Sequence, residues 1–381
     1  MMETWDNVGQ DVVLVGAGAV GLVSAMVLAE AGMRVTLLDK GRVGQEASWA
    51  GGGILSPLFP WRYPPALLRL SDYSIALYPQ LAAELHRHTG IDPEWEPSGL
   101  IILDDAAQPI PADALSWGAA QGHRWALEGE AAAQERQHGL RSSAHALWCP
   151  EVAQIRNPRL LAALVARCRQ LGVLIREGVA VEGFAERNGQ LTSVETAQGS
   201  LPARQVVVTA GAWTGRLLGN AGIPMAIEPV RGQMLLLQGQ PGVLQHILMR
   251  STHYLVPRRD GLILVGSTSE AVGFDKGTTE AAHAELLAFA REVFPPCRHY
   301  PVLRQWAGLR PGSHASVPYI GAVAGWKGLY VAAGHFRYGL TNAPATAQLL
   351  IHALLGQPTA IDPSPYWPGP ERKKLDLSDP G

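Results

Sequence analysis

The chain has 381 residues, 17% of them charged, with a formal net charge of −2; near neutrality without Lys/Arg runs excludes the basic face a nucleic-acid binder needs. No stretch reaches about 18 unbroken apolar residues, and Glu3 and Asp6 deny the first residues the basic region of a secretory signal, so a cytoplasmic protein with no membrane partner is expected. Cys149, Cys168 and Cys297 make no CxxC pair and the histidines are scattered, which argues against a disulfide framework and leaves no metal site to expect.

Residues 11–15, Asp-Val-Val-Leu-Val, read as a buried parallel strand. Gly16-Ala-Gly18-Ala-Val-Gly21 follows at once and opens a helical pattern over residues 20–31, with Gly32 where a C-terminal cap belongs. A second strand, residues 34–38, ends in Asp39. In this unit Gly16 permits the tight turn, Gly18 lets the backbone approach a pyrophosphate, and Gly21 lets helix and strand pack closely. The helix N-terminus offers unpaired N–H groups and a positive dipole end to phosphates, and Asp39 is placed to accept ribose hydroxyls.

The segment after Asp39 decides which dinucleotide is bound. A nicotinamide-binding unit would continue with another helix and parallel strand. Here a small-residue loop leads into Gly51-Gly52-Gly53 and then Ile54 and Leu55. A glycine run backed by apolar residues implies a large flat ligand approached by backbone over a long span, FAD rather than NAD.

Farther along, residues 73–85 read as helical and residues 100–103 as a strand. Residues 157–171 form an amphipathic pattern in which Cys168 belongs to the apolar stripe. Strands follow at 173–176, 179–187 and 205–210, the last ending in a turn at Gly211. Residues 224–310 read as alternating strands, including 233–237 and 261–265, the expected floor of an active site. A helix over residues 343–355 closes the pattern, and beyond Pro358 the chain is rich in proline and charge.

Two further signatures stand in the second half. One is His253-Tyr254-Leu-Val-Pro-Arg258; the other pairs Trp306-Ala-Gly-Leu-Arg310-Pro-Gly with Leu329-Tyr-Val-Ala-Ala-Gly334-His-Phe-Arg337-Tyr-Gly339. With the glycine-rich unit, these resemble the D-amino-acid oxidase family of FAD-dependent oxidoreductases nearly end to end. The likeness is to its glycine oxidase branch in particular, which feeds thiamine thiazole synthesis in many bacteria. The resemblance implies an α/β fold in which a Rossmann-like FAD-binding domain (residues 1–56, 151–223 and 311–360) is interleaved with an α+β substrate-binding domain (57–150 and 224–310). The second domain carries a large, mostly antiparallel sheet, and residues 361–381 form a loosely ordered tail.

The resemblance also implies the site residues. FAD contacts fall on Gly16, Gly18, Ala19, Val20, Gly21, Asp39, Lys40, Ala47, Ser48, Gly52, Gly53 and Ile54, and on Val181 and Gly211. They continue on Arg310 and on the loop Gly334, His335, Phe336, Arg337, Tyr338, Gly339, Leu340 and Thr341. Arg310 anchors the substrate carboxylate, Tyr254 adds a donor, Arg337 touches substrate, and Ile54, His335 and Ser269 border it. Branch members carry Met where Ser269 stands, which implies a roomier pocket admitting sarcosine and D-alanine beside glycine. In the sarcosine oxidase branch a cysteine near the position of Arg310 carries the flavin; none of the three cysteines lies there, which implies non-covalent FAD.

The implied reaction is oxidative deamination. Glycine or a small amine gives a hydride to the flavin, water hydrolyses the imine to the oxo acid (glyoxylate from glycine) with release of ammonia or an amine, and molecular oxygen becomes H2O2. A flavin dehydrogenase using a carrier other than oxygen is the competing reading. Monomer and homo-oligomer both stay open.

Overall fold

Residues 10–106, 108–141 and 145–369 are described in this computed structural model. The first strand, β1 (Val12–Val15), is buried at every position. The chain turns at Gly16 (φ +110°), where an added Cβ would lie 2.5 Å from Thr209 O, and enters α1 (Ala19–Glu30). On that helix a Cβ at Gly21 would meet Gly16 O at 2.0 Å, so only bare glycines let helix and turn close this far.

β2 (Val35–Leu38) pairs parallel to β1 and is followed by α2 (Ala47–Ala50) and the short β3 (Ile54–Leu55). Then come α3 (Pro65–Thr89), β4 (Leu100–Leu103), α4 (Ala114–Ala120), β5 (Ala126–Gly129), α5 (Glu130–Arg136), β6 (His145–Cys149) and β7 (Ala153–Gln154). After α6 (Asn157–Gln170) the chain forms β8 (Leu174–Arg176), β9 (Val181–Arg187), β10 (Gln190–Thr196), β11 (Gly199–Pro202), β12 (Val206–Val208) and α7 (Thr214–Asn220). β13 (Glu228–Gln238), β14 (Ile247–Arg250), β15 (His253–Pro257), β16 (Leu262–Gly266), α8 (Glu280–Val293) and β17 (Val302–Gly312) follow. β18 (Tyr319–Ala322), β19 (Leu329–Ala333) and α9 (Gly339–Leu355) complete the sequence of strands and α-helices.

The strands make the expected α/β architecture. A six-stranded sheet runs β18-β19-β12-β1-β2-β8, parallel except at β18. Alternation sorts β1 between its two faces: Val12 and Leu14 pack with α1, α3, α6 and α9, while Val13 and Val15 pack with α7 and the small sheet of β9 to β11. Burial on both faces is why every β1 residue is apolar.

A second sheet runs β17-β13-β16-β15-β14-β4-β6-β5 and is antiparallel apart from β4 and β14. Here Leu235, Leu237, Leu255 and Val265 pack under α8. Met234, Tyr254, Val256 and Leu264 face the other way, with Phe59 and Trp306. β17 continues to Gly312, so this sheet reaches past residue 310. Among the described residues no helix is long and apolar enough to cross a membrane.

Three stretches depart from the sequence reading. α3 extends residues 73–85 in both directions: Pro65 opens the first turn, where its missing N–H is no loss, Gly90 caps the end at φ +71°, and Pro79 sits on the exposed face. α8 lies where residues 224–310 read as strands alone, although its signals are in the sequence. Thr279 Oγ1 accepts the Ala282 N–H at 3.2 Å, and Ala282, Leu286, Phe289, Ala290 and Val293 recur at helical spacing.

The third departure is at the carboxyl end, where residues 361–369 pack rather than trail. Tyr366 is 1% exposed and its hydroxyl donates to Ala66 O at 2.7 Å. One anchoring ring outweighs the proline-rich composition around it; residues 370–381 of the expected tail lie outside the described residues. Tyr366→Ala should therefore lower stability by about 3–5 kcal/mol, the usual range for deleting a buried aromatic. The change would be read as a fall in the denaturant midpoint, and an unmoved midpoint would refute the anchoring role.

Candidate active site

At the carboxyl ends of β1 and β2, the backbone and Asp39 arrange polar groups around one opening. Both Asp39 carboxylate oxygens accept backbone N–H groups, from Ala17 at 2.8 Å and Gly41 at 2.8 Å. Burial nonetheless raises the carboxyl above its usual range, outweighing those donors and the neighbouring Lys40. Burial also lowers the Lys40 ammonium, whose Nζ stands 3.2 Å from the centre of the Trp213 ring. Ser48 Oγ accepts the Ala19 N–H at 2.9 Å in the first turn of α1.

This opening belongs to a cavity of about 520 Å³ that continues to the second sheet. Its lining takes in Gly16, Gly18, Ala19, Val20, Asp39 and Lys40 from the first unit, then Ala47, Ser48, Gly52, Gly53 and Ile54. Val181 and Gly211 join them, as do Arg310 and residues 335–341, and the face of Tyr254. Gly21 and Gly334 do not line it. Gly21 is turned onto the Gly16 carbonyl, and Gly334 onto Ser313 and Tyr319.

At the second-sheet end, Arg310 projects from β17. Its Nη2 donates to Ser267 Oγ at 2.8 Å and Nη1 to Thr268 O at 3.0 Å, both neutral acceptors. Enclosure pushes its pKa down to about 10, with Arg337 adding to the effect, so it remains a cation at neutral pH. The guanidinium lies across β13 at Gly232, where an added Cβ would stand 2.2 Å from Nη2. Arg337 also lines the cavity, packs over Phe336 at 5.0 Å and has a buried Nε with no partner. Among the described residues no carboxylate hydrogen-bonds either guanidinium. Tyr254 is buried, and among the described residues its hydroxyl has only the Met234 sulfur, a weak acceptor, at 3.7 Å.

Ser269 is not part of this pocket. It is exposed and absent from the lining, so the roomier wall expected from the missing methionine has no counterpart here. β16 ends at Gly266, and the turn after it sends Ser267 toward Arg310 and Thr268 Oγ1 to the Gln233 N–H. His335 does line the cavity, but its Nε2 is 2.9 Å from Thr346 Oγ1, and burial pushes its pKa down to about 3. A neutral ring tied to α9 is not a proton carrier at physiological pH.

The sequence reading missed Ser267, Met234, Gly232, Leu58 and Trp213 in the lining. Gly232 left a signal, being a glycine inside an otherwise continuous strand, which marks a close approach. Ser267 left none.

The residues present fit FAD. The glycine turn and the N-terminus of α1 suit a pyrophosphate, and Asp39 suits ribose hydroxyls. Residues 11–353 match the family described as FAD dependent oxidoreductase, DAO. The glycine oxidase of Pseudomonas putida is 44% identical over 361 residues, covering 94% of this chain and 98% of that protein. The bifunctional protein ThiO/ThiG of Synechocystis is 34% identical over 355 residues, covering 91% of this chain and 52% of that protein. The crystal structure of glycine oxidase from Geobacillus kaustophilus superimposes with a TM-score of 0.90 at 29% identity, covering 96% of this chain and 99% of that one.

The buried neutral His335 has a consequence for pH. An unfolded histidine takes a proton below about pH 6.5, whereas the folded ring refuses it until about pH 3. The unfolded state then binds more protons, so this residue removes stability as pH falls, by about 1.4 kcal/mol per unit through that window. Subtracting the stability of His335→Gln from that of the native chain cancels the other titrating groups. The difference should be flat above pH 6.5 and move against the native chain below it; a difference flat throughout would mean that His335 takes its proton normally.

Proposed function

The chain belongs to the FAD dependent oxidoreductase family, and on that premise we propose that it oxidises glycine and amines of similar size, with FAD held non-covalently. It is an amino-acid oxidase by its family and relatives. The observation that supports the substrate class is the pair of cavity-lining guanidiniums, Arg310 and Arg337, with neutral partners only, beside the Tyr254 hydroxyl. Among the described residues no carboxylate hydrogen-bonds either guanidinium, and a small α-amino carboxylate would supply one.

When bound, FAD supplies the acceptor for two electrons. The chain's own groups bind, orient and tune the substrate. Arg310 takes the carboxylate in a planar two-point contact that a lysine cannot reproduce, and Tyr254 donates a further hydrogen bond. Fixing the carboxylate fixes the α-carbon and removes most of the orientational entropy of the reaction. The two guanidiniums also disfavour an ammonium nearby, so the amine is held in its neutral form, the form that can release a hydride. Glycine thereby loses a hydride (a proton and two electrons) from carbon and a proton from nitrogen to become an imine. Water hydrolyses the imine to glyoxylate and ammonia, and oxygen takes the electrons with two protons to give H2O2. Similarity to the ThiO half of ThiO/ThiG supports a role in making the thiazole of thiamine.

Two measurements test this reading. Acid precipitation should leave all yellow colour in the supernatant; colour in the pellet would mean a covalent flavin. Arg310→Ala should lower kcat/KM for glycine by about 3 kcal/mol or more, as expected for a buried charge-assisted pair, while FAD content falls less. Near-native glycine oxidation by that variant would remove Arg310 from its role. Running the native enzyme with and without oxygen separates an oxidase from a dehydrogenase that needs another carrier.

A further inference from the structure

Arg258 lies at the end of the hairpin that carries Tyr254, outside the cavity and behind the glycine run. It is 8% exposed, and none of its hydrogen bonds goes to a carboxylate. Nη1 donates to Gln154 Oε1 at 2.6 Å and to Ile155 O at 3.2 Å, and Nη2 donates to Gly52 O at 2.9 Å. The carboxylates near it, Glu94, Glu96 and Asp260, act only at a distance, and burial brings its pKa down to about 10. A buried cation spent on two backbone carbonyls and a side-chain amide is unusual enough to need a reason.

The reason lies in what those carbonyls belong to. The run from Ser48 to Gly53 is tied at four carbonyl oxygens. Asn157 Nδ2 holds Ser48 O at 2.7 Å, Trp306 Nε1 holds Ala50 O at 3.1 Å, Arg258 holds Gly52 O, and the Ile155 N–H holds Gly53 O at 2.8 Å. A trans peptide is planar, so anchoring the Gly52 carbonyl on one side turns the Gly53 N–H to the other. Arg258 does not line the cavity while Gly52 and Gly53 do, so that other side is the cavity. The Gly53 N–H has no partner among the described residues. The tie also sets the place of Tyr254, since a Cβ on Gly52 would come within 2.9 Å of the Tyr254 ring.

We propose that Arg258 is a positioning residue for the cofactor: by fixing the Gly52 carbonyl from behind, it presents the Gly53 N–H to an acceptor atom of FAD. Its fork matters as much as its charge, because one planar group must reach Gly52 O and the Gln154–Ile155 segment together. The inference rests on the family's FAD dependence and not on the choice of substrate.

The test uses apoprotein titrated with FAD, which reads binding without turnover. Arg258→Met keeps length and removes every donor, Arg258→Lys keeps the charge and loses the fork, and Arg259→Ala removes the neighbouring surface cation that pairs with Asp92 and Glu96. The Kd for FAD should rise by about tenfold or more in Arg258→Met and by less in Arg258→Lys, as expected for losing charge-assisted hydrogen bonds. The visible flavin absorption band should shift in both variants. Arg259→Ala should bind FAD within about twofold of the native chain. A merely structural arginine would lower the melting temperature of the apoprotein and leave Kd and spectrum alone, and that outcome overturns the proposal. Should Arg258→Met fail to fold, Arg258→Lys decides alone: native Kd and native spectrum sink the idea. A chain that bound FAD in this way yet ignored glycine would fail the substrate proposal and keep this one.

Discussion

Arg310 sits in the cavity wall with neutral oxygens as its hydrogen-bond partners among the described residues, and a charge enclosed in that way is tolerated only where its donors find acceptors and a counter-ion can reach it. Much of the surrounding structure follows from this requirement. β13 must carry a glycine at 232 so that the guanidinium can cross it, and the residue paired with it in register, Gly308, leaves room for Ala50. The turn after β16 must place Ser267 Oγ and the Thr268 carbonyl as acceptors. These features weaken a strand and leave an incompletely neutralised cation, which is the kind of local disadvantage proteins retain at binding sites.

The second sheet distributes its side chains in a way that makes this possible. Its period of two sends Leu235, Leu255 and Val265 under α8 and their neighbours Met234, Tyr254 and Leu264 to the opposite face. The α8 face is ordinary core and supplies the rigidity. The other face gives up some of its apolar packing to a cavity. The hairpin of β15 and β16 has two tasks at once, presenting Tyr254 to the cavity while Arg258, just beyond β15, grips the glycine run that follows β2.

Legibility in the sequence tracked how local each constraint is. The β1–α1–β2 unit could be read residue by residue because its glycines answer to backbone geometry within a few positions. Arg310 and Tyr254 were found through a resemblance, and the structure brings both to one cavity. Ser269 is placed in the pocket by resemblance alone, from the methionine that branch members carry there; β16 ends at Gly266, and the chain beyond it leaves Ser269 exposed and outside the lining. The helix α8 had its cap and its spacing in plain view and was hidden by the strands around it. Ser267 was invisible in a different sense. Its contribution depends on the approach of β17 to β13, a pairing between distant segments, and no local pattern of residues encodes that.

The cavity is also polarised along its lining, and this bears on how a ligand must lie in it. Around β1 and β2 it presents the Asp39 carboxylate and the N-terminus of α1, which call for hydroxyl donors and a phosphate side by side. Around β13 and β17 it presents guanidiniums and a tyrosine hydroxyl, which call for acceptors and negative charge. A dinucleotide carries its phosphates in the middle, so one inserted backwards would set its ring end against Asp39 and leave Arg310 and Arg337 facing its hydroxyl-bearing end. Each mismatch leaves a buried charge unanswered, and such penalties discriminate more sharply than any favourable contact in an enclosed site. A dinucleotide with a sugar at one end and an electron-accepting ring at the other meets both demands in one orientation. In that orientation Arg310, whose hydrogen bonds among the described residues go to Ser267, Thr268 and Arg231 oxygens, keeps a guanidinium able to take an acidic acceptor.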